Sequence, residues 1–208
     1  IQLLLSRGAD IRLKDHEGKS AISYAIMNRH ASTMVLLIKA GVDPNLKANL
    51  GITPVMDAAM TDCVECLDVL HTAKALLDTR TPSGMNALLY AAEYGSTGAL
   101  RFLLDRGMDA NSCDNFGKTA LIYAADKNRL DAVKLLVLKG ARVDGCGSDG
   151  RTALFWAAVL GHEEMTKYLL AHGARPKVYA SNGQSALGLA KKNGHTEIVA
   201  MLLKAGAL

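Results

Sequence analysis

The stretch RTALFWAAVLGH at residues 151–162 places Phe155 and Trp156 directly before the pair Ala157-Ala158. Its pattern of Thr, Leu and Ala-Ala recurs 33 residues earlier in KTALIYAADKN at 118–128. A Thr before an apolar segment can cap a helix N-terminus, and the Leu and the first Ala share one helical face. The stretch is therefore predicted to form a short helix within a repeated unit.

Four columns of residues recur with this period along the whole chain, and only one of them is interrupted, at Lys74. Each period reads as a polar turn, a short helix preceded by Ser, Thr or Asn, and a second apolar helix that ends at glycine, where a left-handed conformation costs little. The columns are Gly18, Gly51, Gly84, Gly117, Gly150 and Gly183; Gly8, Gly41, Gly107, Gly140, Gly173 and Gly206; Leu4, Leu37, Leu70, Leu103, Leu136, Leu169 and Leu202; and Ala25, Ala58, Ala91, Ala124, Ala157 and Ala190.

This pattern resembles the ankyrin repeat, whose motif runs D-x-x-G-x-T-P-L-H-x-A-A-x-x-G-H and closes with L-L-x-x-G-A. The resemblance implies an all-α ankyrin-repeat solenoid of stacked helix-turn-helix units with β-turn or hairpin connections. The motif's Pro occurs only at Pro54, and its His is absent, so Phe155 in the His column is predicted to pack between units. The matching residues are Asp114, Gly117, Thr119, Leu121, Ala124 and Ala125, then Gly150, Thr152, Leu154, Ala157, Ala158, Gly161, His162, Leu169, Leu170, Gly173 and Ala174.

The period also predicts the repeat boundaries. We expect the second half of a repeat at 1–14, five repeats at 15–47, 48–80, 81–113, 114–146 and 147–180, and a capping repeat at 181–208. Lys191 and Lys192 make the first helix of the final repeat polar, as a terminal repeat requires. Leu208 is therefore expected to lie near the true end of the protein chain. The chain starts at Ile1 rather than Met, so we expect upstream sequence, and a secretory leader there stays an open alternative.

The resemblance implies a non-catalytic module that binds another protein, either a folded domain or a peptide, in a concave groove, as an adaptor or a stoichiometric inhibitor. We expect a monomer with no cofactor and no metal. We also expect no membrane segment, because the longest apolar run has eight residues. One alternative is the non-catalytic targeting part of a larger enzyme whose catalytic domain lies upstream. Nucleic-acid binding is opposed by the even spread of 24 basic and 20 acidic residues.

The candidate contact residues lie in the column of Trp156, beside it, and at the turn tips. Aromatic anchors dominate interface energies, so Trp156→Ala or Tyr123→Ala is predicted to weaken partner binding by ~2 kcal/mol or more. The alternative is that these rings merely cover the alanine-rich surface, and that Phe116 contacts only the neighbouring turn. The full set is Tyr24, Asp57, Tyr90, Glu93, Tyr94, Phe116, Lys118, Tyr123, Asp126, Asp149, Arg151 and Trp156.

The repeat at 48–80 departs from the others, because Asp62 and Lys74 replace its glycines. Without the second glycine, its second helix is predicted to run on to about Asp78. The repeat is also acidic, which indicates either drift or a specialised contact.

Cysteines and histidines are predicted to be structural. Cys63 and Cys66 form a C-x-x-C without a second ligand pair, and Cys113 and Cys146 are expected to lie beyond disulfide reach. Four unpaired thiols favour a reducing compartment and so a cytoplasmic or other intracellular protein. His30, His162 and His195 share one column, and the resemblance implies that they tie down the loop before the second helix.

Overall fold

The computed structural model describes residue 3 and residues 6–207, which fall into two compact units. Unit 1 takes in Ile1–Ala91 and Ser96–Met108, and unit 2 takes in Ala92–Gly95 and Asp109–Leu208. The expectations for Ile1, for Leu4 in the leucine column and for Leu208 lie outside the described residues.

Short helices of seven to nine residues follow one another through the described residues. They alternate between a first and a second helix in each period, as the spacing predicts. They are α1 (Ala21–Met27), α2 (Ala31–Lys39), α3 (Pro54–Met60), α4 (Val64–Thr72), α5 (Ala87–Tyr94), α6 (Thr97–Asp105), α7 (Ala120–Asp126), α8 (Leu130–Leu138), α9 (Ala153–Val159), α10 (Glu163–Ala171), α11 (Ala186–Lys192) and α12 (Thr196–Lys204).

Single antiparallel bridges close four of the six turns that precede first helices in the described residues. The bridge in front of α7 joins Cys113 to Thr119, and the bridge in front of α9 joins Cys146 to Thr152. Lys14 and Ser20 form the corresponding bridge before α1, and Tyr179 and Ser185 form the one before α11. Extended pairing in the described residues is thus confined to the necks of these four turns, as expected for hairpin connections.

The predicted capping residues begin most of the first helices. The hydroxyls of Thr119 and Thr152 accept hydrogen bonds from the amides three residues on, at 3.3 and 3.2 Å. Asn86 does the same through its amide oxygen at 3.0 Å. Ser20 makes no such bond, so α1 starts without a side-chain cap. Each cap satisfies an amide that would otherwise lack a partner in the first turn.

The second helix of the 48–80 repeat ends earlier than predicted. Helix α4 stops at Thr72 rather than near Asp78, and Lys74 adopts a left-handed conformation with φ +62°. The Lys74 amide donates to the His71 carbonyl at 3.0 Å, and the Ala75 amide donates to the Leu70 carbonyl at 2.9 Å. Lysine thus accepts the backbone conformation that glycine takes at this position in other repeats, because the surrounding hydrogen bonds impose it.

Alanine and leucine columns form the core of each unit. In unit 2, helix α9 packs against α7 and α11, and Ala124, Ala157 and Ala190 are fully buried between them. Leu136 is fully buried in the same unit. In unit 1, the first helices α1 and α3 pack together in the same way, with Ala58 fully buried. Alanine at these positions lets neighbouring helices approach closely.

Candidate partner-binding surface

Tyr123 lies on α7 in unit 2 and is tied to the turn that precedes its helix. Its hydroxyl donates a hydrogen bond of 2.7 Å to Asp114 Oδ2. The other oxygen of the Asp114 carboxylate accepts from the amides of Phe116 and Lys118, at 2.9 and 2.8 Å. The buried Asp114 carboxylate therefore fixes both the turn and the tyrosine ring.

Trp156 occupies the equivalent position on α9, but its turn has no such carboxylate. Gly147 stands where the preceding repeat has Asp114, one period earlier. A pocket of about 220 Å³ opens there, with the half-buried indole on its wall. Its other side chains are Phe116, Lys118, Ile122, Asp149 and Arg151. The missing side chain at Gly147 leaves this space beside the ring unfilled.

Two cations lie close to the Trp156 ring. The Arg151 guanidinium carbon is 5.1 Å from the ring centroid, and Lys118 Nζ is 5.4 Å from it. Lys118 Nζ is also 4.3 Å from the Tyr123 ring, which lets it interact with both aromatic faces. Lys118 forms an ion pair of 3.0 Å with Asp126 on the end of α7. This pairing holds the lysine over the aromatic rings.

Arg151 is less well paired than Lys118. One of its terminal nitrogens lies 3.5 Å from Asp149 Oδ2, whose other oxygen accepts from the Arg151 amide at 3.0 Å. Arg151 Nε is buried and has no hydrogen-bond partner within the described part of the chain. Buried donors normally find an acceptor, so this nitrogen is an unusual feature of the pocket.

Phe116 and Tyr94 are exposed aromatic side chains of unit 2. The Phe116 side chain is 67% exposed, although its carbonyl accepts a 2.8 Å hydrogen bond from the Ser148 amide of the next turn. The intramolecular contact considered for Phe116 is therefore made by its backbone, and its ring stays open to solvent beside the pocket. Tyr94 is 52% exposed, next to the half-buried Glu93, whose carbonyl accepts from Arg129 Nε at 3.3 Å.

The remaining predicted residues, Tyr24, Asp57 and Tyr90, belong to unit 1. Tyr24 is exposed and donates a 2.7 Å hydrogen bond to Asp15, which lowers the pKa of that carboxyl. Tyr90 is half-buried. Asp57 is buried, and its burial raises the pKa of the carboxyl to about 6, against smaller lowering effects of Ser23 and Lys19. Asp57 thus presents little of its side chain to a partner.

The acidic residues of the 48–80 repeat make contacts that the sequence did not reveal. Asp62 Oδ1 accepts a 2.7 Å hydrogen bond from the Ala99 amide in the first turn of α6. Gly98 leaves room for this carboxylate, because a Cβ there would lie 3.0 Å from Asp62 Oδ1. Asp78 accepts from the Asn86 side chain at 2.7 Å. These carboxylates therefore have partners inside unit 1.

The expectation of four unpaired thiols is wrong. Cys63 and Cys66 form a disulfide, because the N-terminal turn of α4 brings two cysteines three residues apart together. Cys113 and Cys146 are not joined by a disulfide, as predicted. The prediction of a reducing compartment rested on four unpaired thiols, and the Cys63–Cys66 disulfide removes that basis.

Two of the three histidines at the start of the second helices make the predicted structural contacts, whereas the His30 ring makes no hydrogen bond among the described residues. His162 Nε2 lies 3.4 Å from the Asp126 carbonyl, and His195 Nε2 lies 3.1 Å from the Val159 carbonyl. Residues 3 and 6–207 contain no group of three or more His, Cys, Asp or Glu placed to hold a metal ion. Among the same residues, no helix has the length and apolar character needed to cross a bilayer.

Comparison with known families decides what these repeats are. The family model described as Ankyrin repeats (3 copies) matches residues 1–81, 69–145 and 139–207. This chain belongs to the ankyrin repeat family. The predicted all-α stacked repeat fold is confirmed, and ankyrin repeats are non-catalytic protein-interaction modules.

The ankyrin repeat chain is also similar to parts of much longer proteins. It is 30% identical over 116 residues to neurogenic locus notch homolog protein 1 of Xenopus laevis, covering 55% of this chain and 5% of that protein. The protein of the same name from Homo sapiens is 31% identical over 105 residues, which is 50% of this chain and 4% of that protein. Tyrosine-protein kinase HTK16 of Hydra vulgaris is 32% identical over 104 residues, which is 49% of this chain and 14% of that protein.

Proposed function

We propose that this ankyrin repeat chain binds a partner protein with the surface of unit 2 around Trp156, as an adaptor or a stoichiometric inhibitor. The contact residues in this proposal are those of unit 2 that the sequence singled out. They are Glu93, Tyr94, Phe116, Lys118, Tyr123, Asp126, Asp149, Arg151 and Trp156. Tyr24 offers a separate exposed aromatic side chain on unit 1.

The open pocket beside Trp156 is the observation that carries the proposal. A large indole ring that only completed a core would be enclosed by its own chain, yet this ring borders unfilled space of about 220 Å³. Phe116 remains largely exposed at the same pocket. Aromatic side chains beside a pocket with a few polar groups are typical of contact centres in protein interfaces.

Affinity capture followed by a binding titration tests this function. The intact chain, Trp156→Ala and the control Leu138→Ala are used in parallel, because Leu138 is 76% exposed on α8 and does not line the pocket. A protein retained by the intact chain and the control should bind Trp156→Ala about 30-fold more weakly, equivalent to ~2 kcal/mol. The melting temperatures of the three chains should stay close together.

Equal affinity of the captured protein for the intact chain and Trp156→Ala would remove this surface as the binding site. A loss of affinity in Leu138→Ala alone would move the site to the second-helix side of unit 2.

A second candidate function is the non-catalytic targeting part of a larger enzyme. The alignment with 14% of a tyrosine-protein kinase favours it, because it shows a similar repeat segment inside a protein named for catalysis. The same interaction surface would then select the enzyme's partner or substrate. Phosphoryl-transfer assays on the full-length gene product distinguish this candidate from a free-standing adaptor.

A further inference from the structure

We propose that the pocket beside Trp156 receives an acidic side chain of the partner polypeptide, next to an apolar residue that packs on Trp156 and Phe116. This inference rests on the proposed function and states what that surface selects.

The first support is the unmet hydrogen-bonding capacity of Arg151, which lines the pocket. A guanidinium presents its Nε–H and terminal N–H groups as a planar fork that matches a carboxylate. Within the described residues no group accepts from the buried Arg151 Nε, and the Asp149 contact of 3.5 Å is longer than a charge-assisted hydrogen bond. A carboxylate entering the pocket would supply the missing acceptor.

The second support is the contrast between the two cations at the pocket. Lys118 already has the Asp126 carboxylate at 3.0 Å and the Tyr123 ring at 4.3 Å. Arg151 has the longer contact with Asp149, and its guanidinium carbon lies 5.1 Å from the Trp156 ring centroid and 5.4 Å from the Phe155 ring centroid. Asp149 therefore only partly pairs Arg151, because its carboxylate leaves the Nε–H without an acceptor in the described part of the chain, and Lys118 adds favourable potential for a further anion.

Other occupants fit the pocket less well. A lysine or arginine of the partner would meet Lys118 and Arg151 at close range in a partly desolvated space, where like charges repel strongly. An apolar side chain alone would bury Arg151 further and leave Nε without an acceptor, which is costly. The acidic side chain satisfies the guanidinium, and a neighbouring apolar residue covers the exposed aromatic rings.

Selection of peptides from a random display library on the immobilised intact chain tests the inference. Peptides that bind Trp156→Ala at least tenfold more weakly are retained, and each acidic residue in them is changed to its amide. The affinity of each acid and amide pair is then measured for the intact chain, for Arg151→Gln and Arg151→Lys, and for the control Leu138→Ala. Circular dichroism melting confirms that every variant is folded.

We expect one acid-to-amide change to weaken binding to the intact chain and to Leu138→Ala about tenfold or more, and to Arg151→Gln less than about twofold. Arg151→Lys keeps the charge but loses the guanidinium Nε–H. For this variant, the loss of affinity on the acid-to-amide change should lie between the losses for the intact chain and for Arg151→Gln. Peptides that depend on Trp156 but contain no acid, or whose acid matters equally for Arg151→Gln, would overturn the inference and leave the proposed function standing. A selection without any Trp156-dependent peptide would count against the proposed function itself.

Discussion

Tyr123 and Trp156 hold the same position one period apart in unit 2, yet their neighbourhoods differ. The Tyr123 hydroxyl bonds to Asp114, whose carboxylate also organises the turn. Trp156 faces Gly147 at the corresponding place and borders an open pocket. The residue at this turn position thus distinguishes a ring that is hydrogen-bonded to its own turn from a ring that borders an open pocket.

Truncating a fully buried leucine of unit 2 should have the largest effect. Leu136→Ala removes a fully buried side chain of unit 2 and should lower the free energy of unfolding by ~2–5 kcal/mol, because a cavity remains. Urea denaturation measures the change. Leu138→Ala, two residues away and 76% exposed, should stay within ~0.5 kcal/mol of the parent chain. Similar losses in both variants would show that the leucine column is not the core.

Asp57 provides a third occupant of the column and a test that depends on pH. Its pKa of about 6 in the folded chain exceeds the ordinary 3.8, so the folded state binds the proton more tightly. The resulting stability is fully present below about pH 3.8 and is lost as the pH rises through about 6.

Asp57→Asn should therefore be more stable than the parent chain at pH 7, by up to about 3 kcal/mol, and the difference should shrink as the pH falls from about 6 to 3.8. Thermal melting of both chains from pH 4 to 8 measures it. A difference that does not change with pH would mean that the carboxyl titrates normally.

The difference between the Tyr123 and Trp156 neighbourhoods can be tested by changing the residues around Trp156 to those found around Tyr123. Gly147→Asp combined with Trp156→Tyr should recreate the hydroxyl–carboxylate bond and raise the unfolding free energy by about 1 kcal/mol. Gly147 has no positive φ, and a Cβ at this position would come closest to the side-chain oxygen Asp149 Oδ1, at 3.1 Å. The same double variant should lose most of its affinity for the partner captured by the intact chain.

Trp156→Tyr alone is the matched control for that double variant. It lacks the new carboxylate, so its unfolding free energy should change by less than ~0.5 kcal/mol. Equal stability of the single and double variants would show that the Asp114–Tyr123 arrangement cannot be transferred to the next repeat.

The smallest effect is expected at the corresponding pair of unit 1, where Tyr24 bonds to Asp15. Tyr24→Phe removes the hydrogen bond that is the main cause of the lowered pKa of Asp15, so this pKa should rise toward 3.8. Because a lowered pKa stabilises the folded state above the unfolded value, the difference between the two chains should disappear at low pH. NMR titration of the Asp15 carboxyl measures the shift, and an unchanged pKa would assign the lowering to the turn amides instead.

Much of the repeat architecture was predictable because its signals are local. The residues that cap α7 and α9 act within one turn of their own helix, and the Gly107 left-handed conformation follows from its position after α6. The end of α4 was mispredicted because Lys74 adopts a glycine-like conformation that its residue type disfavours. The Cys63–Cys66 disulfide was missed although its spacing was visible, because the motif alone left its redox state open.

The candidate site was only partly predictable. The column arithmetic selected Trp156, and the predicted turn tips supplied Lys118 and Arg151, but nothing in the local sequence showed that a pocket lies among them. Asp57 belongs to the same column and is buried, so column position alone does not determine exposure.

The sequence by itself determined the period, the helices and the residues that can cap and pack them, because these depend on groups a few positions apart. The tertiary structure decided that Asp62 caps α6, that Gly147 leaves a pocket beside Trp156, and that Arg151 Nε has no acceptor among the described residues. Such features arise from side chains in neighbouring repeats, whose distances are set only when the helices pack.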